Sequence, residues 1–375
     1  MFARAAYGAL MRGGGGDRVH AFLGGAAAAQ IGIWDSAQQL EGFLELSGAS
    51  RDHVLCAHWD EETFKPAFVV FVVPGVQWLV VSVRGSMNWK AVLTDIAAEP
   101  SEVPGGLAHS GMVRSARWVL SQIRSVLEAA LVERPDYSVV CTGHSLGANV
   151  AALLALFLRE EPEGTSDREE EQAPAAAEAF RKTVAYTFGG SPLMSPELGV
   201  RCAPFVLSVS RNFDFVTRLS VLGVDRLMLE LTEKSAPKMA KQWLLAKLGR
   251  TEELQDRKVA ARNRAFGNDA HVPDPLVPAG LLLHIDTTRP EFQDFPADRP
   301  PRLHWALPGF YQQISISPQM FQNHIPVKYV ENLLAFLRHG APQYAKELHL
   351  ASRAGRNSDT EWRVRMSLEA LIMAE

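Results

Sequence analysis

Cysteine is scarce in this chain: Cys56, Cys141 and Cys202 are the only three in 375 residues, and each sits in apolar sequence. An odd number at such scattered positions supports neither a disulfide framework nor a metal site and favours a reducing compartment. Basic charge is not in excess either. Lysine and arginine total 38 against 42 acidic residues, a formal net charge of −4, which argues against nucleic acid as the main partner because phosphate binding needs a basic surface. Long apolar runs are missing as well: none reaches the roughly 18 residues that would cross a bilayer, and glycines 13 to 16 interrupt any apolar signal core near the N-terminus. The expectation is a soluble, cytoplasmic protein. There are no internal repeats. What is present is an ordinary globular composition, 47% hydrophobic and 21% charged, on a chain long enough for a substantial core.

One stretch organises the rest. Residues 137–158, YSVVCTGHSLGANVAALLALFL, run apolar, break at Gly143-His144-Ser145-Leu146-Gly147, and resume with helical spacing. This pattern predicts a strand, a sharp turn and a helix, with a serine hydroxyl held out above the sheet edge. The turn is so tight that glycine is required two residues to either side, and Gly143 and Gly147 meet that demand. Ala148, Ala151 and Ala152 let the helix lie close to the strand it leaves. The start of that helix aims N–H groups at the place where a carbonyl oxygen would turn negative. Ser145 is the candidate nucleophile. The plainer reading of the same residues is a serine capping a helix after a buried strand.

Around this unit the pattern is that of a sheet with helices between its strands. Residues 1–62 are rich in alanine and glycine, with helical patches at 21–30 and 36–46, and are assigned a packing role. Two apolar runs at 67–73 and 78–83, separated by Pro74-Gly75, predict a hairpin. The second ends in Arg84-Gly85-Ser86-Met87, where the Ser86 N–H and hydroxyl could serve as an oxyanion donor beside the Leu146 N–H. An amphipathic helix over 88–98 with Trp89 on its apolar side, then a flexible link over 100–106, reads as a lid or as a docked surface helix. A long helix fills 109–133, and His109 at its start reads as structural. Residues 159–172 hold seven acidic side chains and form a solvated loop. Strands follow at 183–188, 205–210 and 281–285, an insertion at 249–280, a loop at 290–301, and a helix at 327–337. The whole is read as one domain over 1–375, with a catalytic core at 63–340 and a tail at 341–375.

A serine hydroxyl needs a base within hydrogen-bond reach and a carboxylate to orient that base. In the strand-turn-serine-turn-helix class these follow the nucleophile in the order acid, then histidine. Asp214 comes just after a predicted strand, whereas Asp225 falls in a predicted helix, so Asp214 is the preferred acid. Among later histidines, His284 is within a strand, His271 and His304 lie in proline-rich loops, and His339 and His349 follow the last core helix. His324 stands in a loop directly ahead of a helix and is the preferred base.

The motifs VVSVRGSMNWKAVLTDI (80–96), AHSGM (108–112), VVCTGHSLGANVAALLAL (139–156), YTFGGSPLMS (186–195), SRNFDFVTRLS (210–220) and ISPQMFQNHIP (316–326) occur in this order. Together they resemble the class 3 lipases, and within them the sn-1-specific diacylglycerol lipases. The resemblance implies an α/β-hydrolase fold, a mostly parallel central sheet with helices on both faces. It implies Ser145, Asp214 and His324 as nucleophile, acid and base, Ser86 and Leu146 as oxyanion donors, and a lid that includes Met87 and Trp89. It also implies a regulatory insertion between Asp214 and His324. Two departures stand out: the four membrane helices of the animal members have no counterpart before residue 50, and Phe215-Val216-Thr217 follows the aspartate where the family has valine and proline.

The expected activity is release of a fatty acid from diacylglycerol through an acyl-enzyme, with no cofactor and no metal. The partner is then an acylglycerol lipid, met at a peripheral membrane or lipid-droplet surface. A phospholipase A1 or a general carboxylesterase on the same fold is the first alternative, and a non-catalytic lipid-binding module the second.

Overall fold

The computed structural model describes residues 1–8, 35–85, 100–161, 173–220, 223–224, 227, 276–287, 301–312, 314, 316–317 and 319–339. The predicted helical patch at 21–30, the 88–98 helix, most of the acidic loop at 159–172, most of the 249–280 insertion, all but the last residue of the 290–301 loop, and the tail lie outside these residues.

Ten strands are present among them: β1 (Val54–His58), β2 (Phe68–Val73), β3 (Trp78–Val83), β4 (Pro100–Val103), β5 (Gly106–His109), β6 (Ser138–His144), β7 (Val184–Phe188), β8 (Val206–Arg211), β9 (Leu281–Asp286) and β10 (Arg302–Ala306). Eight form one sheet in the order β1-β2-β3-β6-β7-β8-β9-β10. The five strands β3, β6, β7, β8 and β9 run parallel, while the β1–β2, β2–β3 and β9–β10 pairings at the two sides of the sheet are antiparallel. The parallel strands are apolar almost throughout because both faces are covered. Seven helices accompany them: α1 (Phe2–Ala5), α2 (Ser36–Ser47), α3 (Ser110–Glu133), α4 (Leu146–Glu160), α5 (Ala173–Arg181), α6 (Pro196–Cys202) and α7 (Pro326–His339).

The period-2 alternation of the strands divides the core in two. Leu79, Val81, Val139 and Cys141 face α3, α4 and α5, including Ile123, Leu127, Leu153 and Phe180. Val69, Phe71, Val80, Val140 and Leu207 face the other way, against Phe2 of α1, Phe43 of α2 and Tyr329, Leu333 and Phe336 of α7. Every residue of α4 from Gly147 to Leu158 is buried. A helix that is apolar all round has no solvent face and belongs in the centre of a layer. Truncating Leu153, fully buried there, should cost about 2–5 kcal/mol. This is the α/β-hydrolase fold.

Four expectations need correction. The link at 100–106 is the start of a hairpin in which β4 pairs antiparallel with β5, closed by Pro104-Gly105 with Gly105 at φ +85°. His304 is not in a loop; it lies on β10, directly across from His284 on β9. The first residues of the acidic run, Arg159 and Glu160, complete α4, and Glu160 and Glu161 pair with Arg201 and Arg117. At the N-terminus, β1 and the single turn α1 are structure that the composition had hidden.

Candidate active site

Strand β6 ends at His144 and α4 begins at Leu146, so Ser145 is the whole of the turn between them. Its backbone stands at φ +61° and ψ −129°, a region that costs a non-glycine residue about 1–3 kcal/mol. Two hydrogen bonds hold it there. The Ser145 N–H donates to the Phe188 carbonyl at 2.9 Å, and the Ser145 carbonyl accepts from the Ala148 N–H at 3.0 Å. The flanking glycines are required by close approach: a Cβ on Gly143 would lie 2.2 Å from the Gly147 carbonyl oxygen, and one on Gly147 would lie 2.2 Å from that of Val83. Both neighbours are backbone and cannot move aside.

The serine is more enclosed than the expected exposed apex. It is 1% exposed, because the ends of β3 and β7 close around the turn; the backbone at Gly85 comes so near that a Cβ there would be 2.9 Å from Ser145 Cβ. The Ser145 hydroxyl makes no hydrogen bond among the described residues.

Asp214 reaches the same edge from β8. The strand ends at Arg211, and Asn212 turns the chain at φ +42°. Its amide is clamped to Thr287 beyond β9, donating to the hydroxyl at 2.7 Å and accepting from the N–H at 2.8 Å. Asp214 is fully buried, and a buried carboxylate must be hydrogen-bonded or it would not stay charged. Oδ1 accepts from the Val216 N–H at 2.9 Å and Oδ2 from the Tyr329 hydroxyl at 2.5 Å. The departure at Thr217 is accommodated locally: its hydroxyl donates to the Asp214 carbonyl at 2.9 Å and closes the turn.

His324 occupies a short helical turn, Gln322–His324, ahead of α7 and is 1% exposed. Its Nδ1–H donates to Asp214 Oδ2 at 2.8 Å and lies 3.0 Å from Oδ1. That bond puts the proton on Nδ1 and the basic lone pair on Nε2. The loop is gripped from β8, since Arg211 donates to the side-chain oxygens of Asn323 and Asn332. Gly189, at φ +62°, lies beneath the pair: a Cβ there would be 3.0 Å from Asp214 Oδ2 and 3.1 Å from the His324 ring.

The structure therefore brings Ser145, Asp214 and His324 to one edge of the sheet, at the C-terminal ends of the parallel strands, where ligands gather in such sheets. Leu146 is the first residue of α4, and the N–H groups of a first helical turn have no acceptor within the helix. Ser86, Met87 and Trp89 lie outside the described residues, as do Asp225, His271 and His349. Two contacts at the site were missed in the sequence. Tyr329 is buried five residues after His324; burial and the neighbouring Asp214 push its pKa well above the ordinary tyrosine value, so it stays a donor. Tyr7 of the N-terminal segment donates to His144 Nδ1 at 2.8 Å. The sequence carries no local signal for either contact.

Among the described residues, no group of His, Cys, Asp and Glu is arranged to hold a metal ion, and no helix is long and apolar enough to cross a membrane.

Residues 80–223 match the family Lipase (class 3). The chain is 30% identical over 195 residues to diacylglycerol lipase-beta of Mus musculus, which covers 49% of this chain and 26% of that protein. It is 25% identical over 302 residues to diacylglycerol lipase-alpha of Homo sapiens, covering 73% and 27%. It thus spans about a quarter of the length of these relatives. Among solved structures it is similar to the lipase from Rhizopus microsporus var. chinensis, with a TM-score of 0.39 at 18% identity, over 54% of this chain and 68% of that one. The family match thus covers the stretch that carries Ser145 and Asp214.

Proposed function

We propose that this chain is a serine lipase that cleaves an acyl ester of diacylglycerol or a related acylglycerol, releasing a fatty acid and a monoacylglycerol. The observation that carries the reading is the buried Asp214–His324 pair beside a serine on a strained turn. In this reading Ser145 Oγ attacks the ester carbonyl while His324 Nε2 takes its proton. The tetrahedral oxyanion is held by the Leu146 N–H and by Ser86. Collapse expels the alcohol, which leaves with the proton from His324. Water, deprotonated by the same nitrogen, then attacks the acyl-enzyme, and Ser145 recovers its proton as the fatty acid departs. Asp214, held by Val216 and Tyr329, keeps the proton on Nδ1 and stabilises the imidazolium.

The family match supports ester hydrolysis, and the names of the relatives suggest the diacylglycerol substrate. We assign the catalytic core to 63–340 within one domain. Met87 and Trp89 are proposed to contact the acyl chain, and the protein to meet lipid at a peripheral surface, which flotation with lipid droplets would test.

The test is fatty acid release from emulsified diacylglycerol by wild type and Ser145→Ala, with a triacylglycerol, a phospholipid and a short-chain soluble ester alongside. Release that is fastest on diacylglycerol and lost in the variant is expected. Preference for the phospholipid or for the soluble ester would move the assignment to a phospholipase or a carboxylesterase, and an equally active variant would remove Ser145 from the mechanism.

A further inference from the structure

His144 stands immediately before the nucleophile and is not used in the mechanism above, yet it is fully buried with both ring nitrogens engaged. Nδ1 accepts from the Tyr7 hydroxyl at 2.8 Å, and Nε2–H donates to the backbone carbonyl of His324 at 2.7 Å. The carbonyl can only accept, so it fixes the Nε2–H tautomer, and Tyr7 complements that tautomer by donating. The His144 and His324 rings lie 4.5 Å apart, tilted by 40°, and Tyr329 packs against His144 edge-on at 5.8 Å.

We propose that His144 is a positioning residue for the catalytic base: through Nε2–H it fixes the His324 backbone relative to Ser145, with Tyr7 locking the ring that makes the bond. The proposal rests on the assignment of Ser145 and His324 given above. Three considerations carry it. His324 sits on a short loop that Arg211 grips through the neighbouring Asn323, and Asp214 holds only the imidazole; the main-chain bond from His144 ties the loop to the nucleophile elbow itself. His144 is adjacent in sequence to Ser145, so the bond links nucleophile and base with a single side chain between them. A base misplaced by an ångström loses much of its rate, so such a bond acts on chemistry as well as on stability.

The ring must also be neutral. A charged His144 would oppose the imidazolium that forms on His324 in each turnover. Burial and the nearby His324 hold the pKa of His144 well below the ordinary histidine value. Around the ring, the titratable groups are Tyr7 from the N-terminal segment, His324 from the loop before α7 and Tyr329 from α7 itself, and the small cavity beside the ring is also lined by Arg4 and by Met1, which carries the terminal amino group. Tyr7 is held protonated by its own burial.

The experiment is the rate at which a fluorophosphonate acylates Ser145 in wild type, His144→Gln, His144→Asn and Tyr7→Phe, each checked for folding by thermal melting, with Ser145→Ala as the blank. A glutamine amide can take the place of Nε2–H, whereas the shorter asparagine reaches only the Nδ1 position. Asparagine should therefore slow acylation about tenfold or more, the effect of a lost hydrogen bond of about 1.4 kcal/mol at the reacting geometry. Glutamine should recover most of that rate, and Tyr7→Phe should slow it about two- to fivefold. Because His144 stays neutral, the acid limb of the wild-type rate against pH should have the slope of one ionisation, unchanged in the glutamine variant.

The proposal is overturned if folded His144→Asn reacts like wild type, if glutamine and asparagine are equally slow, or if the wild-type acid limb has a slope of two that glutamine reduces to one. Should both His144 variants fail to fold, Tyr7→Phe decides, and an unchanged rate there overturns it. Wild type that takes no label above the Ser145→Ala blank would instead overturn the assignment of the nucleophile.

Discussion

Among the described residues, two clusters at the sheet bring serine and histidine side chains into one neighbourhood, and they differ in how the serine is presented and the histidine oriented. At β8 and β9, Ser210 Oγ is 2.7 Å from His284 Nδ1 and 2.5 Å from the Tyr311 hydroxyl. This serine–histidine contact is explicit, whereas the Ser145 hydroxyl makes no hydrogen bond among the described residues. Yet Ser210 lies within a regular strand, His284 is in mid-strand, and neither ring nitrogen of His284 is hydrogen-bonded to a carboxylate among the interactions described. Burial, together with His304 and Arg218, pushes the His284 pKa down to about 3, and burial pushes Tyr311 up to about 12. A histidine that cannot take a proton near neutrality is no base. At Ser145 the backbone is forced to positive φ, and the partner histidine is oriented by a carboxylate that has two further donors. Presentation and the orienting carboxylate separate the two sites more than proximity does.

Paired substitutions sharpen this contrast. The largest effect should come from the nucleophiles: Ser145→Ala is expected to lower ester hydrolysis by about 10⁴-fold or more, while Ser210→Ala stays within about threefold and loses about 1 kcal/mol of stability. Similar losses of activity in both would erase the distinction. Next come the orienting groups. Asp214→Asn should lower kcat by about 10³- to 10⁴-fold with the fold retained, because the wrong tautomer of His324 is then favoured. Circular dichroism would check the fold, and a residual rate within tenfold of wild type would show that another carboxylate serves.

Smaller effects test the surroundings. Gly189→Ala combines an unfavourable φ with a methyl group against Asp214 and His324, and should lower kcat more than it raises KM. Tyr329→Phe removes one donor from a buried carboxylate; a drop of about tenfold in kcat and about 1–2 kcal/mol in stability is expected from kinetics and urea unfolding. The smallest effect on activity lies at the second cluster, where the change is in stability against pH. His284 is neutral in both folded and unfolded chains above its unfolded pKa near 6.5, so its contribution is fully present there. As pH falls from 6.5 towards 3 the unfolded chain takes up a proton that the folded chain refuses, and stability is lost at up to about 1.4 kcal/mol per pH unit. His284→Asn should flatten that part of the urea midpoint against pH, and an unchanged slope would show that this ring is protonated in the fold.

Much of this was legible because the constraints are local. A strand buried on both faces has to be continuously apolar, so the runs at 78–83, 139–142 and 281–285 announced the parallel sheet. The elbow was legible in the same way at Gly143, which answers a contact with Gly147 four residues on, whereas Gly147 answers Val83 on the neighbouring strand. The hairpin of β4 and β5 was hidden because each strand is only four residues long, and β10 because Arg302 and His304 break the apolar pattern. His304 could be placed only by its cross-strand partner.

The sequence by itself determined where the sheet's main strands lie along the chain, the sharp serine turn, and a short set of acids and histidines able to serve it, because spacing along the chain and the geometry of a tight turn are sequence properties. Tertiary structure alone decided which groups meet. Tyr7 reaches His144 across 137 residues, and His144 reaches His324 across 180; Tyr329 reaches Asp214 across 115. Hydrogen bonds between buried polar groups so distant in the chain exist only after the apolar layers on both faces have packed, since packing removes the water that would otherwise satisfy them.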